Sequence, residues 1–206
     1  KSLLLCLSLS LVANFSFASH VAGGDFSYEC IGPNQYRITL KLFKDCAGIA
    51  LPNTINVTMS ETCTGSSQSL TLTLQNPATG TNCTDPDPAN CAVEISQLCP
   101  NDQLNSTCHA GGTFPGMLMY KYSAVTTLNT LCNAWTFGYT LSARNCSSNL
   151  QVCTGIGQTS GQNFYTEAKL YSTTAPCNNS PVFTSQPIPY VCANQLVNYN
   201  FGVIEP

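Results

Sequence analysis

Apolar and polar side chains alternate along most of this chain, with a period of two. In Tyr36-Arg37-Ile38-Thr39-Leu40-Lys41-Leu42, the residues Tyr36, Ile38, Leu40 and Leu42 share one face, and Arg37, Thr39 and Lys41 share the other. That is the signature of a half-buried strand. Phe26, Tyr28 and Cys30 alternate in the same way, and Gly32-Pro33-Asn34 supplies turn chemistry between the runs. Residues 25–46 are therefore predicted to form a β-hairpin connected through Ile31–Gln35.

Further strands follow at Ile55/Val57/Met59, Leu70/Leu72/Leu74, Tyr120–Val125, Trp135/Phe137/Tyr139/Leu141 and Tyr165–Leu170. Gly, Pro, Asn and Asp clusters separate them, and no run after residue 19 sustains a helical apolar period. Many short strands with turn punctuation predict an all-β, antiparallel β-sandwich of immunoglobulin-like architecture. The Trp135/Phe137/Tyr139 stripe reads as the inward face of a sheet. Tyr120 and Tyr122 are the tyrosines expected to face outwards, and so the weak candidates for ligand contact.

The first residues have a different pattern. Leu3–Val12 is apolar apart from Ser8 and Ser10, follows Lys1, and precedes the small-x-small run Ser16-Phe17-Ala18. This reads as a secretory signal peptide over residues 1–18, too short to span a bilayer, which takes about 20 apolar residues. No other segment is long and apolar enough, so the mature chain is expected to lack a membrane span. Export changes the reading of the cysteines. Of thirteen, Cys6 lies in the leader; the other twelve are Cys30, Cys46, Cys63, Cys83, Cys91, Cys99, Cys108, Cys132, Cys146, Cys153, Cys177 and Cys192. In an oxidising compartment they are disulfide candidates, up to six bridges, and spacing does not give their connectivity. No C-x2-C pair occurs, which argues against a structural zinc site.

Residues 77–115 hold five prolines and four of those cysteines. They are expected to form an irregular excursion held by crosslinks, with one short strand at Val93–Leu98. A boundary is placed near Pro176–Pro181. It gives a disulfide-rich β-sandwich domain over 19–178, then a linker and the beginning of a truncated immunoglobulin-like repeat over 179–206. In that unit Gln195–Phe201 reads as a strand.

Charged residues are only 8% of the chain, against about 25% in an ordinary soluble domain. Seven scattered Lys and Arg form no basic patch, so no nucleic-acid partner is expected. Cys108-His109 is poorly arranged for a thiol nucleophile and its base, because neighbours on extended chain point to opposite faces. Asp85-Pro86-Asp87 reads as a solvated turn rather than a calcium site, which wants six to eight oxygens. Serine-hydrolase and phosphate-loop motifs are absent. Asn-x-Ser/Thr acceptor patterns occur, as at Asn56 and Asn82, and chance accounts for them in a chain so rich in Asn, Ser and Thr. No catalytic residue, metal ligand or cofactor site is assigned.

Several runs carry a resemblance. Ser19-His20-Val21-Ala22-Gly23-Gly24-Asp25-Phe26-Ser27-Tyr28-Glu29-Cys30, Asn34–Lys41, Lys44-Asp45-Cys46, Cys108–Pro115, Ala175–Phe183 and Pro189–Cys192 resemble the N-terminal module of large cell-surface proteins of gliding Bacteroidota. The resemblance implies export by a signal peptide and outer-membrane crossing by the type IX secretion machinery associated with gliding motility. It also implies immunoglobulin-like or cadherin-like repeats downstream, with calcium entering only in repeats beyond Pro206. Ala143-Arg144-Asn145-Cys146 departs from that pattern, which has adjacent cysteines before the Arg-Asn. The expected function is a non-catalytic structural or adhesion module of a secreted protein on the outer cell surface, touching an extracellular glycan or surface protein. The alternatives are a carbohydrate-binding module and part of a secreted hydrolase.

Overall fold

The computed structural model describes residues 21–142, 163–173, 177–185, 193–194, 196, 198–200 and 202–205. The leader, Cys146, Cys153 and Cys192 lie outside the described residues. The strands are β1 (Val21–Gly32), β2 (Gln35–Asp45), β3 (Thr54–Glu61), β4 (Ser67–Leu74), β5 (Val93–Glu94), β6 (Met117–Thr127), β7 (Trp135–Leu141), β8 (Phe164–Leu170), β9 (Val182–Phe183) and β10 (Val203–Ile204). Two short 3-10 helices, Pro88–Cys91 and Pro100–Asn105, sit in the irregular excursion.

The predicted hairpin is β1 and β2, with a tighter connection than expected. Gly32 already pairs with Gln35, leaving Pro33 and Asn34 as the turn. Pro33 restricts its own φ, and Asn34 takes the left-handed conformation at φ 56° that Asn tolerates better than most residues.

All pairing in the main sheet is antiparallel, in the order β1-β2-β6-β4-β3-β7-β8, with β5 on the remaining edge of β6. The two ends of this path approach one another. Tyr28 on β1 donates its hydroxyl to the Lys169 carbonyl of β8 at 3.2 Å. A Cβ on Gly24 would stand 3.4 Å from the Phe164 ring. The result is a nearly closed, barrel-like sheet. The expected immunoglobulin-like sandwich has two separate sheets; here the β4–β6 seam joins the halves. That seam is narrow: Thr73 pairs with Ser123 and Leu74 with Tyr122.

Inward positions form one core. Ile38, Leu40 and Leu42 from β2, Val57 and Met59 from β3, Leu72 and Leu74 from β4, and Phe137 from β7 are all buried. Trp135 and Tyr139 are buried with them, as the stripe predicts. Lys44 continues the inward face of β2 and is only 2% exposed. Its ammonium donates to the Asp45 carbonyl at 2.7 Å, and burial pushes its pKa down.

Four disulfides staple the described residues: Cys30–Cys177, Cys46–Cys108, Cys63–Cys132 and Cys83–Cys91. Cys99 is disulfide-bonded as well. The excursion is irregular and crosslinked, as its composition predicts. Its expected strand shrinks to Val93–Glu94 plus one bond from the Ile95 N–H to the Met117 carbonyl, because β6 offers only a short free edge beyond its contact with β4. After Cys177 the chain crosses the outer edge of β1. The Ser180 N–H donates to the Tyr28 carbonyl at 2.9 Å, and the Tyr28 and Cys30 N–H groups donate to Ser180 Oγ and Asn179 Oδ1 at 2.8 Å. The strand expected over 195–201 is displaced. Leu196 and residues 198–200 carry no strand, and β10 at Val203–Ile204 pairs with β9 instead.

Candidate functional site

Tyr120 and Tyr122 do not face outwards. Both are fully buried on the inward side of β6, with ring centroids 6.5 Å apart and planes 12° from parallel. The physical reason is their parity. Lys121 between them is exposed, so the tyrosines must point the other way, into the core. Tyr122 Oη donates to the Pro52 carbonyl at 2.8 Å, and burial raises its pKa. Tyr120 Oη approaches the Leu51 backbone without hydrogen-bonding geometry. Neither residue can meet a ligand from solvent.

The excursion's polar groups hold its backbone. Asp85 accepts from the Asp87 N–H at 2.8 Å, and Asp87 accepts from the Ala89 N–H at 3.0 Å, capping the first 3-10 helix. These are the turn contacts that the sequence favours over calcium binding. Cys108 is bonded to Cys46 and offers no free thiol beside His109. Instead Glu94 sits between two partners. The buried Ser106 hydroxyl donates to it at 2.6 Å, and His109 Nε2 lies 3.0 Å from its other oxygen. Ser106 is fully buried, so its hydroxyl faces Glu94 and not solvent.

Glu61 was not singled out by sequence. It ends β3 and accepts N–H bonds from Cys63 at 2.5 Å, Thr64 at 2.9 Å and Ser66 at 3.1 Å, together with the Thr64 hydroxyl. The Thr64 hydroxyl and the loop N–H groups hold its carboxyl down at about 2. Glu61, Cys63 and Cys132 lie within 4.8 Å of one another, but the two sulfurs are joined to each other. Across the described chain, Asp25, Glu29, Asp45, Glu61, Asp85, Asp87, Glu94 and Glu167 are each held by a cation, a backbone N–H or a hydroxyl.

What remains accessible is the outer side of the sheet. A cleft of about 550 Å³ beside the β4–β6 seam is lined by Arg37, Thr73, Gln75, Thr81, Asn82 and Ser123 among others. Its cation, Arg37, is paired with Glu29 at 2.6 Å. A second cleft, of about 270 Å³, lies on the other side of Arg37, between β1 and Asn179-Ser180.

The outward positions of β4, β3 and β7 are uncharged and rich in hydroxyls. Ser67, Ser69 and Thr71 stand beside Ser60, Thr58 and Asn56, which lead on to Thr136, Gly138 and Thr140. The Thr71 hydroxyl donates to Asn56 Oδ1 at 2.8 Å. On β8 the outward residues are Tyr165, Glu167 and Lys169, and the alternation continues to Tyr171, all exposed. Tyr165 Oη donates to Glu167 Oε2 at 2.6 Å, and Lys169 Nζ lies 3.2 Å from Glu167 Oε1. The hydrogen bond to the Glu167 carboxylate raises the Tyr165 pKa, and the same bond together with that from Lys169 lowers the pKa of Glu167.

Four disulfides belong to an extracellular or otherwise oxidising environment. Among the described residues no helix is long and apolar enough to cross a membrane. No family model, curated protein or solved structure matches the chain.

Proposed function

We propose that this chain is a non-catalytic structural or adhesion module of an exported cell-surface protein. The observation that carries the reading is a crosslinked all-β scaffold whose β4, β3 and β7 present an uncharged, hydroxyl-rich outer face, while eight of its ten carboxylates are paired within the fold. Such a scaffold resists unfolding outside the cell and keeps a polar surface rigid.

The resemblance to modules of gliding Bacteroidota supports export through the type IX route and display at the outer surface. In that setting β9 and β10 belong to the beginning of an immunoglobulin-like or cadherin-like repeat. The narrow β4–β6 seam supports an immunoglobulin-like relation for the first domain, with two four-stranded halves facing one another.

Beads coated with the oxidised full chain, presented to polysaccharide- and protein-coated surfaces, should adhere above the level of albumin-coated beads. Reduced and alkylated chain should lose that adhesion. Equal adhesion of all three bead types would remove the adhesive reading. Turnover of fluorogenic glycoside, ester or peptide substrates would favour the hydrolase alternative instead.

A further inference from the structure

We infer that the outward face of β8, from Tyr165 to Tyr171 and flanked by the hydroxyl-bearing β7 and β3, is a binding platform for a neutral glycan. The inference rests on the adhesive reading and names the chemistry of what is touched.

The tyrosines come first. Tyr165 is 56% exposed on a strand whose other face is in the core, and Tyr171, the residue just after that strand, is 49% exposed. Gly138 explains how the Tyr165 ring is seated. A Cβ there would lie 3.0 Å from Tyr165 Oη and 3.4 Å from its Cε2, so the ring reaches across the one outward position of β7 that has no side chain. This sets the hydroxyl end of the ring over the sheet and leaves about half of the residue open to solvent. Glu167 fixes the ring by its hydroxyl, and Lys169 fixes Glu167 in turn. The platform is therefore organised before any ligand arrives, which lowers the ordering cost of binding.

The spacing comes second. Tyr165 and Tyr171 are six residues apart on one side of an extended segment, roughly 20 Å. That is the footprint of several linked sugar rings and not of one small molecule. Past Leu170 the segment stays in line with the sheet, because the Ser172 N–H donates to the Cys132 carbonyl at 3.2 Å and the Cys132 N–H donates back to Ser172 Oγ at 3.0 Å.

Charge selects among the candidate ligands. Glu167 and Lys169 neutralise one another, and the neighbouring outward residues on β7 and β3 are Thr136, Gly138, Thr140, Asn56, Thr58 and Ser60. A nucleic acid or an acidic polysaccharide finds no excess of cation here. The centre of a protein interface is usually depleted of Lys and Glu, whereas Glu167 and Lys169 stand in the middle of this platform. A neutral pyranose chain does match it. The C–H face of a sugar ring packs on an aromatic π face, and its hydroxyl rim exchanges hydrogen bonds with carboxylate, ammonium, amide and hydroxyl groups.

The test is affinity electrophoresis of the oxidised full chain through gels containing mixed-linkage β-glucan, arabinoxylan, galactomannan or dextran, with alginate as the acidic control. Calorimetry with the matching hexasaccharides follows. At least one neutral polysaccharide should retard the chain. Tyr165→Ala and Tyr171→Ala should each weaken binding by about tenfold, and Tyr165→Phe, which keeps the ring but loses its tie to Glu167, should fall between the parent and Tyr165→Ala. Tyr171→Ala leaves the Tyr165–Gly138 contact intact, so it reports on binding even if Tyr165→Ala lowers the melting temperature. Retardation by alginate alone, by no neutral polysaccharide, or undiminished in both alanine variants would overturn the inference. If bead adhesion persists in both alanine variants, the adhesive reading stands and this site does not.

Discussion

Tyr120 and Tyr122 on β6 and Tyr165 and Tyr171 on or just after β8 are the same side chain in the same sheet, yet they end on opposite sides of it. The first pair is fully buried; the second is about half exposed. Hydrophobicity cannot account for this, since the residues are identical. The difference lies in which neighbours share each tyrosine's parity. Lys121 alternates with the β6 pair and takes the solvent side. Glu167 and Lys169 share the parity of the β8 pair and keep that face in water, while Phe164 and Leu170 fill the core. A strand commits all its side chains at once, so the charged residues decide the direction of the aromatic ones.

The largest effect should come from releasing β1 from the segment around Cys177, beyond β8. The Cys30–Cys177 bridge closes 147 residues and Cys83–Cys91 closes eight. Chain-entropy arguments place about 5 kcal/mol on the first and about 2.5 kcal/mol on the second. Denaturant unfolding of the Cys30→Ala/Cys177→Ala and Cys83→Ala/Cys91→Ala variants should show that order; the reverse would mean that the local loop holds the fold. Next, Tyr122→Ala should lose about 3–5 kcal/mol by opening a core cavity. Tyr165→Ala should lose less than about 1 kcal/mol. Similar losses at both positions would erase the distinction between the two pairs.

A smaller difference separates the two core tyrosines. Tyr122→Phe leaves the Pro52 carbonyl without its partner and should cost about 1 kcal/mol, whereas Tyr120→Phe deletes an unpartnered hydroxyl and should be neutral or stabilising. The last effect is confined to the β3–β4 loop. Glu61 has a folded pKa of about 2 against an ordinary 4.5, so its contribution is fully present above about 4.5 and is lost as pH falls towards 2. In melting curves over that window Glu61→Gln should flatten the pH dependence. An unchanged slope would put the acid sensitivity elsewhere.

The inward positions of β2, β3 and β7 were legible because each alternates without interruption. The exposed Tyr165 and Tyr171 obey the same rule, although the tyrosines expected to face outwards are those on β6. Tyr165 shares its parity with Glu167 and Lys169, a stronger outward signal than anything around Tyr120. Glu61 was hidden because its role depends on N–H groups of a loop whose shape the residue types do not disclose. Lys44 was hidden because a lysine at the end of an apolar stripe ordinarily reaches solvent, whereas here packing covers it.

The chain by itself determined the strand period, the faces of most strands, the crosslinked nature of the excursion and the scarcity of charge. Each of these follows from backbone geometry or composition within a short window. Only the tertiary structure decided which cysteines meet, that one sheet curls until β1 and β8 touch, and that Gly138 lies beneath Tyr165. Those facts depend on residues far apart along the chain arriving side by side. A two-residue alternation specifies a face, but it does not specify the neighbour.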